Sequence, residues 1–316
     1  MIRAQWENSI KAFNDHSIVP EGEWEQNTAE NIKRLHKSNS IWTMQGAFNP
    51  PNDRAVVVVG ASPCLKRDVG KLKDCDREDF CVVAVNSALK FMLDSGVSPE
   101  YVVALDSDHE DIEKHLDVDS KDLTLIASNV VSPRVLDSWK GKILYFPYFA
   151  VSEKYKKRLR NRLGKMIPVG GNALATMVST AIQVWNARII ILAASECCYD
   201  KHYYPSKDIA RNNAEAAEFY VTDINGKQRV TTTALHTYKL WLERLAIHVT
   251  PNVKVIDSSQ GILGAGKSYI YTYELSEIIK IVKDAIEKKK EIIKNVEGHL
   301  SDASLYQQRS EQRVHG

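Results

Sequence analysis

Seven short apolar runs, six of them closed by a glycine or a polar residue, constrain this chain more than any single motif. They are Ala55-Val-Val-Val-Val-Gly60, Cys81-Val-Val-Ala-Val-Asn86, Tyr101-Val-Val-Ala-Leu-Asp106, Leu123-Thr-Leu-Ile-Ala-Ser128, Lys142-Ile-Leu-Tyr-Phe146, Arg188-Ile-Ile-Ile-Leu-Ala-Ala-Ser195 and Val253-Lys-Val-Ile-Asp257. Runs this short and rich in β-branched residues read as strands. Most are continuously apolar rather than alternating, so both faces must be covered. Helical segments lie between them, at Ser87 to Ser95, Val151 to Arg162, Ala173 to Trp185 and Thr231 to Val249. Strand–helix alternation with doubly buried strands predicts an α/β fold: a Rossmann-like, doubly wound, mostly parallel sheet with helices on both faces.

The ends differ from this middle. Residues 1–53 carry Trp6, Ile10, Phe13, Ile32, Leu35 and Trp42 among polar residues, and Asn49-Pro-Pro-Asn-Asp53 closes them as a loop. They are expected to form a helical N-terminal segment. Residues 54–273 form the expected Rossmann-like domain. Residues 274–316 are expected to be a long charged helix, Leu275 to about Val296, with a mobile tail from about Gly298. Asn225-Gly226, between Phe219 and Val230, marks a hairpin turn.

Composition removes several function classes. With 42 basic against 40 acidic residues the formal net charge is +2, which gives no global attraction to nucleic acid or anionic membrane. The five cysteines are odd in number and contain no CxxC pair, so neither a disulfide framework nor a zinc site is expected. No apolar stretch approaches the roughly 20 residues that span a bilayer. Met1-Ile-Arg-Ala-Gln-Trp-Glu7 lacks the order of a signal peptide, so a cytoplasmic setting is the expectation.

Polar residues at the strand ends are the candidate site. Asp106 and Asp108 follow the third run, one residue apart, and are expected to leave it on the same side. Paired carboxylates at that edge suit a hard divalent ion that also holds phosphates, so Mg²⁺ is the implied cofactor and both aspartates its ligands. The alternative is a strand end that caps the next helix. In Gly60-Ala-Ser-Pro-Cys-Leu65 the glycine permits a tight turn and close backbone approach, with Ser62 and Pro63 beside a phosphate or ribose. Many first turns look like this for structural reasons alone. Asn86 can meet a base or sugar, or cap the helix from Ser87. Gly170-Gly171-Asn172 opens an apolar helix whose first amides suit an anion. Two adjacent glycines cost entropy there with no packing gain apparent in the sequence. Ser195 and Glu196 lie on the same edge, and Glu196 is a candidate acid or base, or a capping carboxylate. His236, beside the apolar stripe of its helix, is a second candidate, and His109 a third, each against the reading of a packed bystander.

Gly261-Ile-Leu-Gly-Ala-Gly-Lys-Ser268 fits GxxxxGK[ST]. A phosphate-binding loop needs a helix from its lysine, whereas Tyr269-Ile-Tyr-Thr-Tyr273 reads as extended, so the match is discounted while Lys267 keeps a candidate phosphate contact.

In order, Gly60-Ala-Ser-Pro-Cys-Leu65, Asn86-Ser-Ala-Leu-Lys90, Gly96-Val-Ser-Pro-Glu-Tyr-Val-Val-Ala-Leu-Asp106 and Gly170-Gly171 resemble the family that joins bacterial motility accessory factors (Maf) with the MptE-like archaeal 6-hydroxymethylpterin diphosphokinases. The layout is also similar to bacterial sialyltransferases that use CMP-sugars. The resemblance covers roughly Ala55 to Tyr273. Against the family's GxGPSL pattern, Ser62 replaces the second glycine and Cys64 the serine. Glu196 stands where aspartate is common. The His-Gly-Asp-Asn segment associated with the archaeal enzymes is missing, with Ala127-Ser-Asn-Val130 in its place.

The resemblance implies a nucleotide-dependent transferase, foremost a glycosyltransferase-like enzyme with a CMP-nonulosonate type of donor. There Gly60, Ser62, Asn86, Gly170, Gly171 and Ser195 surround the nucleotide, Asp106 and Asp108 hold Mg²⁺ or the donor phosphate, and His236 or Glu196 acts as acid or base. The alternatives are Mg-ATP-dependent 6-hydroxymethylpterin diphosphokinase activity and a non-catalytic nucleotide-binding or assembly protein. The expected partners are the nucleotide or nucleotide-sugar and a small-molecule, glycan or protein acceptor, with no nucleic acid; a homo-oligomer is compatible with all of this.

Overall fold

The apolar runs pair side by side. In the computed structural model, eight parallel strands form one sheet in the order β10-β9-β6-β1-β2-β3-β4-β5. The strands are β1 (Ala55–Val59), β2 (Phe80–Val85), β3 (Tyr101–Ala104), β4 (Thr124–Ser128), β5 (Lys142–Phe146), β6 (Ile189–Ala193), β9 (Lys254–Asp257) and β10 (Ile270–Thr272). The structure describes residues 21–49, 52, 54–107, 109–148, 151–205, 217–265 and 269–291. All five residues of β1 and all six of β2 are buried, as runs apolar on both faces require.

The helices are α1 (Glu21–Asn31), α2 (Leu65–Asp68), α3 (Asn86–Asp94), α4 (His109–Leu116), α5 (Pro133–Ser138), α6 (Glu153–Leu163), α7 (Ala173–Gln183) and α8 (Thr233–Val249). A further helix, α9, occupies 275–291. None among the described residues is long and apolar enough to cross a membrane. Right-handed crossovers dictate two layers. The walk from β1 to β5 places α3, α4 and α5 on one face, where they pack in sequence. The return from β5 to β6 carries α7 across β1, β2 and β3, and α8 packs beside it. The fold is α/β and Rossmann-like.

The chain before β1 is tied into the first layer. The side chain of Asn31 donates to the carbonyls of Asn129 and Val131 at 3.0 and 2.7 Å, and Asn27 donates to Val130 at 3.0 Å. Trp24 and Leu35 join the core formed by Leu89, Ile112, Leu125 and Leu136. Trp6, Ile10, Phe13 and the tail beyond 291 lie outside the described residues.

One sequence expectation changes here. Val253–Asp257 is not the last strand, because the tyrosine-rich Tyr269–Tyr273 supplies the edge strand β10, paired with β9. Among the described residues, 261–264 are bends and turns and Tyr269 leads directly into β10, so the chain after residue 268 is a strand and not the helix that a phosphate-binding loop needs. Gly261 instead packs on backbone: an added Cβ would lie 2.1 Å from the Glu196 carbonyl oxygen. Lys267 lies outside the described residues. The predicted hairpin forms as β7 (Glu218–Thr222) and β8 (Gln228–Thr232), an antiparallel pair separate from the main sheet, with Gly226 at φ +80° in its turn.

Candidate functional site

Strand β1 sits between β2 and β6, and the chain leaves these neighbours in opposite directions. A crevice opens where the order reverses, outside the carboxyl ends of the strands. It is a cleft of roughly 190 Å³, lined by Gly60, Ser62, Asn86, Asp106, Asn172 and Ser195 among others. These residues come from the turns after β1, β2, β3 and β6 and from the start of α7. Pro63, Gly170, Gly171, Glu196 and His236 are not on its wall. Asp108 lies outside the described residues, as does the side chain of His109.

The turns after β1 and β6 are stapled together. The amides of Gly60 and Ser62 donate to the carbonyls of Ala193 and Ala194 at 2.8 and 3.0 Å. The Glu196 amide donates to Ser62 Oγ at 3.0 Å, and the Cys64 amide donates to Glu196 Oε2 at 3.0 Å. Gly60 is required by this proximity, since a Cβ there would lie 2.4 Å from the Ala194 carbonyl oxygen. Ala194 and Cys197, with φ of 51° and 54°, hold non-glycine residues in the left-handed region on the cleft rim, a strain that persists only where the surroundings enforce it.

Glu196 is buried, and both of its carboxylate oxygens are engaged. Its Oε1 accepts from Arg229 Nη2 at 2.8 Å. Arg229, on β8, also pairs with Asp200 at 2.8 Å and Asp223 at 3.4 Å. The hairpin thus clamps the turn after β6. Ser62 and Glu196, two departures from the resembled pattern, are partners in one staple.

Asp106 is exposed to the cleft. Its charge reaches two tyrosines. Burial, and then Asp106, push the Tyr148 hydroxyl up to about 12. The same two causes, in the same order, raise Tyr238 on α8. The thiols of Cys197 and Cys198 line the cleft, but burial pushes both up, Cys198 to about 12, so neither is a thiolate at neutral pH.

Asn172 caps α7, its Oδ1 accepting the Ala175 amide at 2.7 Å. The glycines before it have a structural task. Gly170 and Gly171 stand at φ +58° and +84°. A Cβ on Gly170 would meet Ala175 Cβ at 2.5 Å and the Trp241 ring at 2.8 Å. The packing reason that the sequence did not reveal is the seat of α8 on α7. His236 stacks edge-on against Phe219 of β7, with ring centroids 5.5 Å apart.

A model of the 6-hydroxymethylpterin diphosphokinase MptE-like family matches residues 26–202. The chain belongs to the MptE-like family. The family match spans β1 to β6 and so includes the stapled turns, Asn86 and Asp106. Among solved structures, a MAf glycosyltransferase from Magnetospirillum magneticum AMB-1 is similar in fold, with a TM-score of 0.58 and 16% identity over 85% of this chain and 42% of that one. This chain therefore spans less than half the length of that neighbour. No curated protein sequence matches.

Several cleft residues escaped the sequence reading. His115, fully buried on α4, lies on the wall with Tyr204 edge-on to it at 6.0 Å. Tyr203 bridges Tyr204 and Tyr199 at 4.9 and 5.3 Å. The available signal was the aromatic density of Cys197-Cys198-Tyr199-Asp-Lys-His-Tyr-Tyr204 directly after a strand end. Among the described residues no cluster of three or more His, Cys, Asp or Glu forms a cage for a metal ion. One cleft carboxylate, Asp106, still suits Mg²⁺, which usually takes one or two carboxylates and completes its shell with water and substrate phosphates.

Proposed function

We propose that this MptE-like chain is a nucleotide-dependent transferase whose donor is a nucleotide-activated sugar of the CMP-nonulosonate type. The observation that carries this reading is the position of the cleft. It opens at the switch point of the sheet and gathers Gly60, Ser62, Asn86, Asp106, Asn172 and Ser195 on one edge, as nucleotide sites of this fold class do. The glycosyltransferase fold of the structural neighbour supports the sugar side.

In this reading the close turns at Gly60 and Ser195 admit the nucleoside, and the aromatic wall of Tyr199, Tyr203 and Tyr204 borders the remaining space. Asp106 faces the departing or attacking group. Glu196 acts by holding the two turns in register, since its oxygens are spent on Arg229 and the Cys64 amide. The imidazole that the described wall presents to a ligand is that of His115, whereas His236 stands outside.

The second reading is transfer of a diphosphoryl group from ATP to a hydroxymethylpterin, favoured by the family description and by Asp106. Asp106, with Asp108, would then hold Mg²⁺, which would supply charge neutralisation for the phosphates. Titration calorimetry with CMP, UDP and ATP, each with and without Mg²⁺, separates the two. Selective, metal-independent binding of CMP is the expected result. Binding of ATP only with Mg²⁺ would select the diphosphokinase, and absence of binding by all three nucleotides would remove both readings.

A further inference from the structure

Two helices start at the cleft, and the first amides of a helix have no intrahelical acceptor. Helix α3 begins without a side-chain cap: its N-cap position is Val85, which has no side-chain acceptor. Its first two residues, Asn86 and Ser87, line the cleft. Helix α7 begins at the opposite layer. Asn172 satisfies its third amide only, which leaves the amides of Ala173 and Leu174, also on the cleft wall, without an intrahelical acceptor. The partial positive ends of both helices thus meet at one place.

A separate observation points to a ligand. Asn86 is 7% exposed, yet its side chain makes no hydrogen bond to any described residue. Side-chain amides this enclosed are ordinarily partnered, and that of Asn86 is not among the polar atoms sealed from solvent, so it is open to a ligand. What exposure Asn86 retains is on the cleft wall. The expected alternative, that Asn86 caps α3, does not hold its side chain, because it is the first helical residue and bonds no amide.

We infer that the N-termini of α3 and α7, with the side-chain amide of Asn86, form a seat for one phosphate group. The inference rests on the nucleotide reading of the cleft and deepens it by locating the phosphate. No lysine or arginine is among the described residues of the wall, and its one carboxylate is Asp106. Neutral amide donors therefore carry the recognition, and a second phosphate directed at Asp106 needs a divalent ion beside it. A donor with a single phosphate, a nucleoside monophosphate ester, is the ligand class that fits without one.

Two variants test the seat. Asn86→Asp keeps the size and replaces a donor with a charge that repels phosphate. Ala173→Pro deletes one amide at the first helical position, where proline suits the helix, and Asn172 before it already has the extended φ of −150° that a following proline requires. Calorimetric titrations of CMP, cytidine and inorganic orthophosphate are run on both variants and the parent, with circular dichroism to confirm the fold. Each variant should lose about ten- to a hundred-fold in CMP affinity, the range for hydrogen bonds to a charged group. Cytidine affinity should be unchanged and orthophosphate binding lost. Undiminished CMP affinity in the folded variants, or parent protein that binds cytidine as tightly as CMP, overturns the seat and leaves the nucleotide reading standing. Orthophosphate binding that is lost in Asn86→Asp, in a protein that binds no nucleotide, upholds the seat and removes the nucleotide reading.

Discussion

Asp257 ends β9 with a carboxyl that no solvent reaches. Ser259 donates to its Oδ1 at 3.2 Å while Oδ2 has no partner. Burial pushes this group up to about 7, against the Ser259 bonds that favour its charge. The unfolded chain releases that proton near pH ~4. Between these values the native state holds the proton and the unfolded state does not, so stability falls as pH rises from about 4 to about 7. Asp257→Asn should flatten that slope and be the more stable protein at about pH 8; urea unfolding at several pH values checks it, and an unaltered slope clears Asp257 of the effect. Arg229 offers the converse case. Its side chain is 11% exposed and faces Glu196 and Asp223, whose side chains are 5% and 3% exposed. Arg229→Met leaves two carboxylates buried without their cation and should cost about 3–5 kcal/mol in denaturant unfolding. Arg229→Lys, which keeps the charge but loses the fork, should fall between. Equal stability of parent and methionine variant would show the network to be spectator charge. Neither residue stood out in the sequence, because a burial-shifted carboxyl and a three-way ion pair depend on neighbours far along the chain. Asn86, Asp106 and Ser195 were legible for the opposite reason: a polar residue that ends an apolar run lands on the carboxyl edge whatever the rest does.

At the scale of elements, the glycine turn into α7 is the informative case. Gly170→Ala places a Cβ against the Trp241 ring in a left-handed backbone, and should destabilise by about 1–3 kcal/mol through overpacking alone. Gly226→Ala is the control. Its φ of +80° is equally unfavourable, but nothing lies within 4 Å of the new Cβ, so only the backbone cost of about 1–2 kcal/mol remains. Chemical denaturation of both variants should therefore rank Gly170→Ala as the worse; the reverse order would mean that α8 yields around Trp241. The strand β10 illustrates what local pattern misses. Tyr269, Tyr271 and Tyr273 are all substantially exposed, as expected of an edge strand with one open face, and three residues of pairing give no length signal. The hairpin was legible because Asn225-Gly226 encodes its own turn, yet the clamp it applies through Arg229 was not, since that depends on where the hairpin docks.

For the whole molecule, the order of the strands decides where a ligand acts. A ligand in the cleft touches turns after β1, β2, β3 and β6 and so bridges both halves of the sheet. Nucleotide at about 100 times its Kd should stabilise the protein by about 2.7 kcal/mol and raise the unfolding midpoint by several degrees. Thermal melts with CMP, UDP and ATP read this directly, and a midpoint insensitive to all three would contradict the proposed function. The α/β class and parallel sheet were readable from doubly apolar strands separated by helices. The position of β6 beside β1 was not, because no local pattern states which strand the chain returns to.

That return also sets a timetable. The hydrogen bond from the Glu196 amide to Ser62 joins residues 134 positions apart. At ordinary synthesis rates a ribosome needs roughly 7–27 s to cover that distance. Throughout that interval the apolar β1 can pair with β2 while its other edge, the one reserved for β6, stays open. A nascent chain that has emitted β1 to β5 is thus a sheet with an unprotected valine-rich flank and no ligand pocket. Arrest of translation between Leu163 and Arg188 would present that flank to chaperones or to other nascent chains; β6 seals it, and the cleft is complete only once Tyr199 to Tyr204 and α8 have followed.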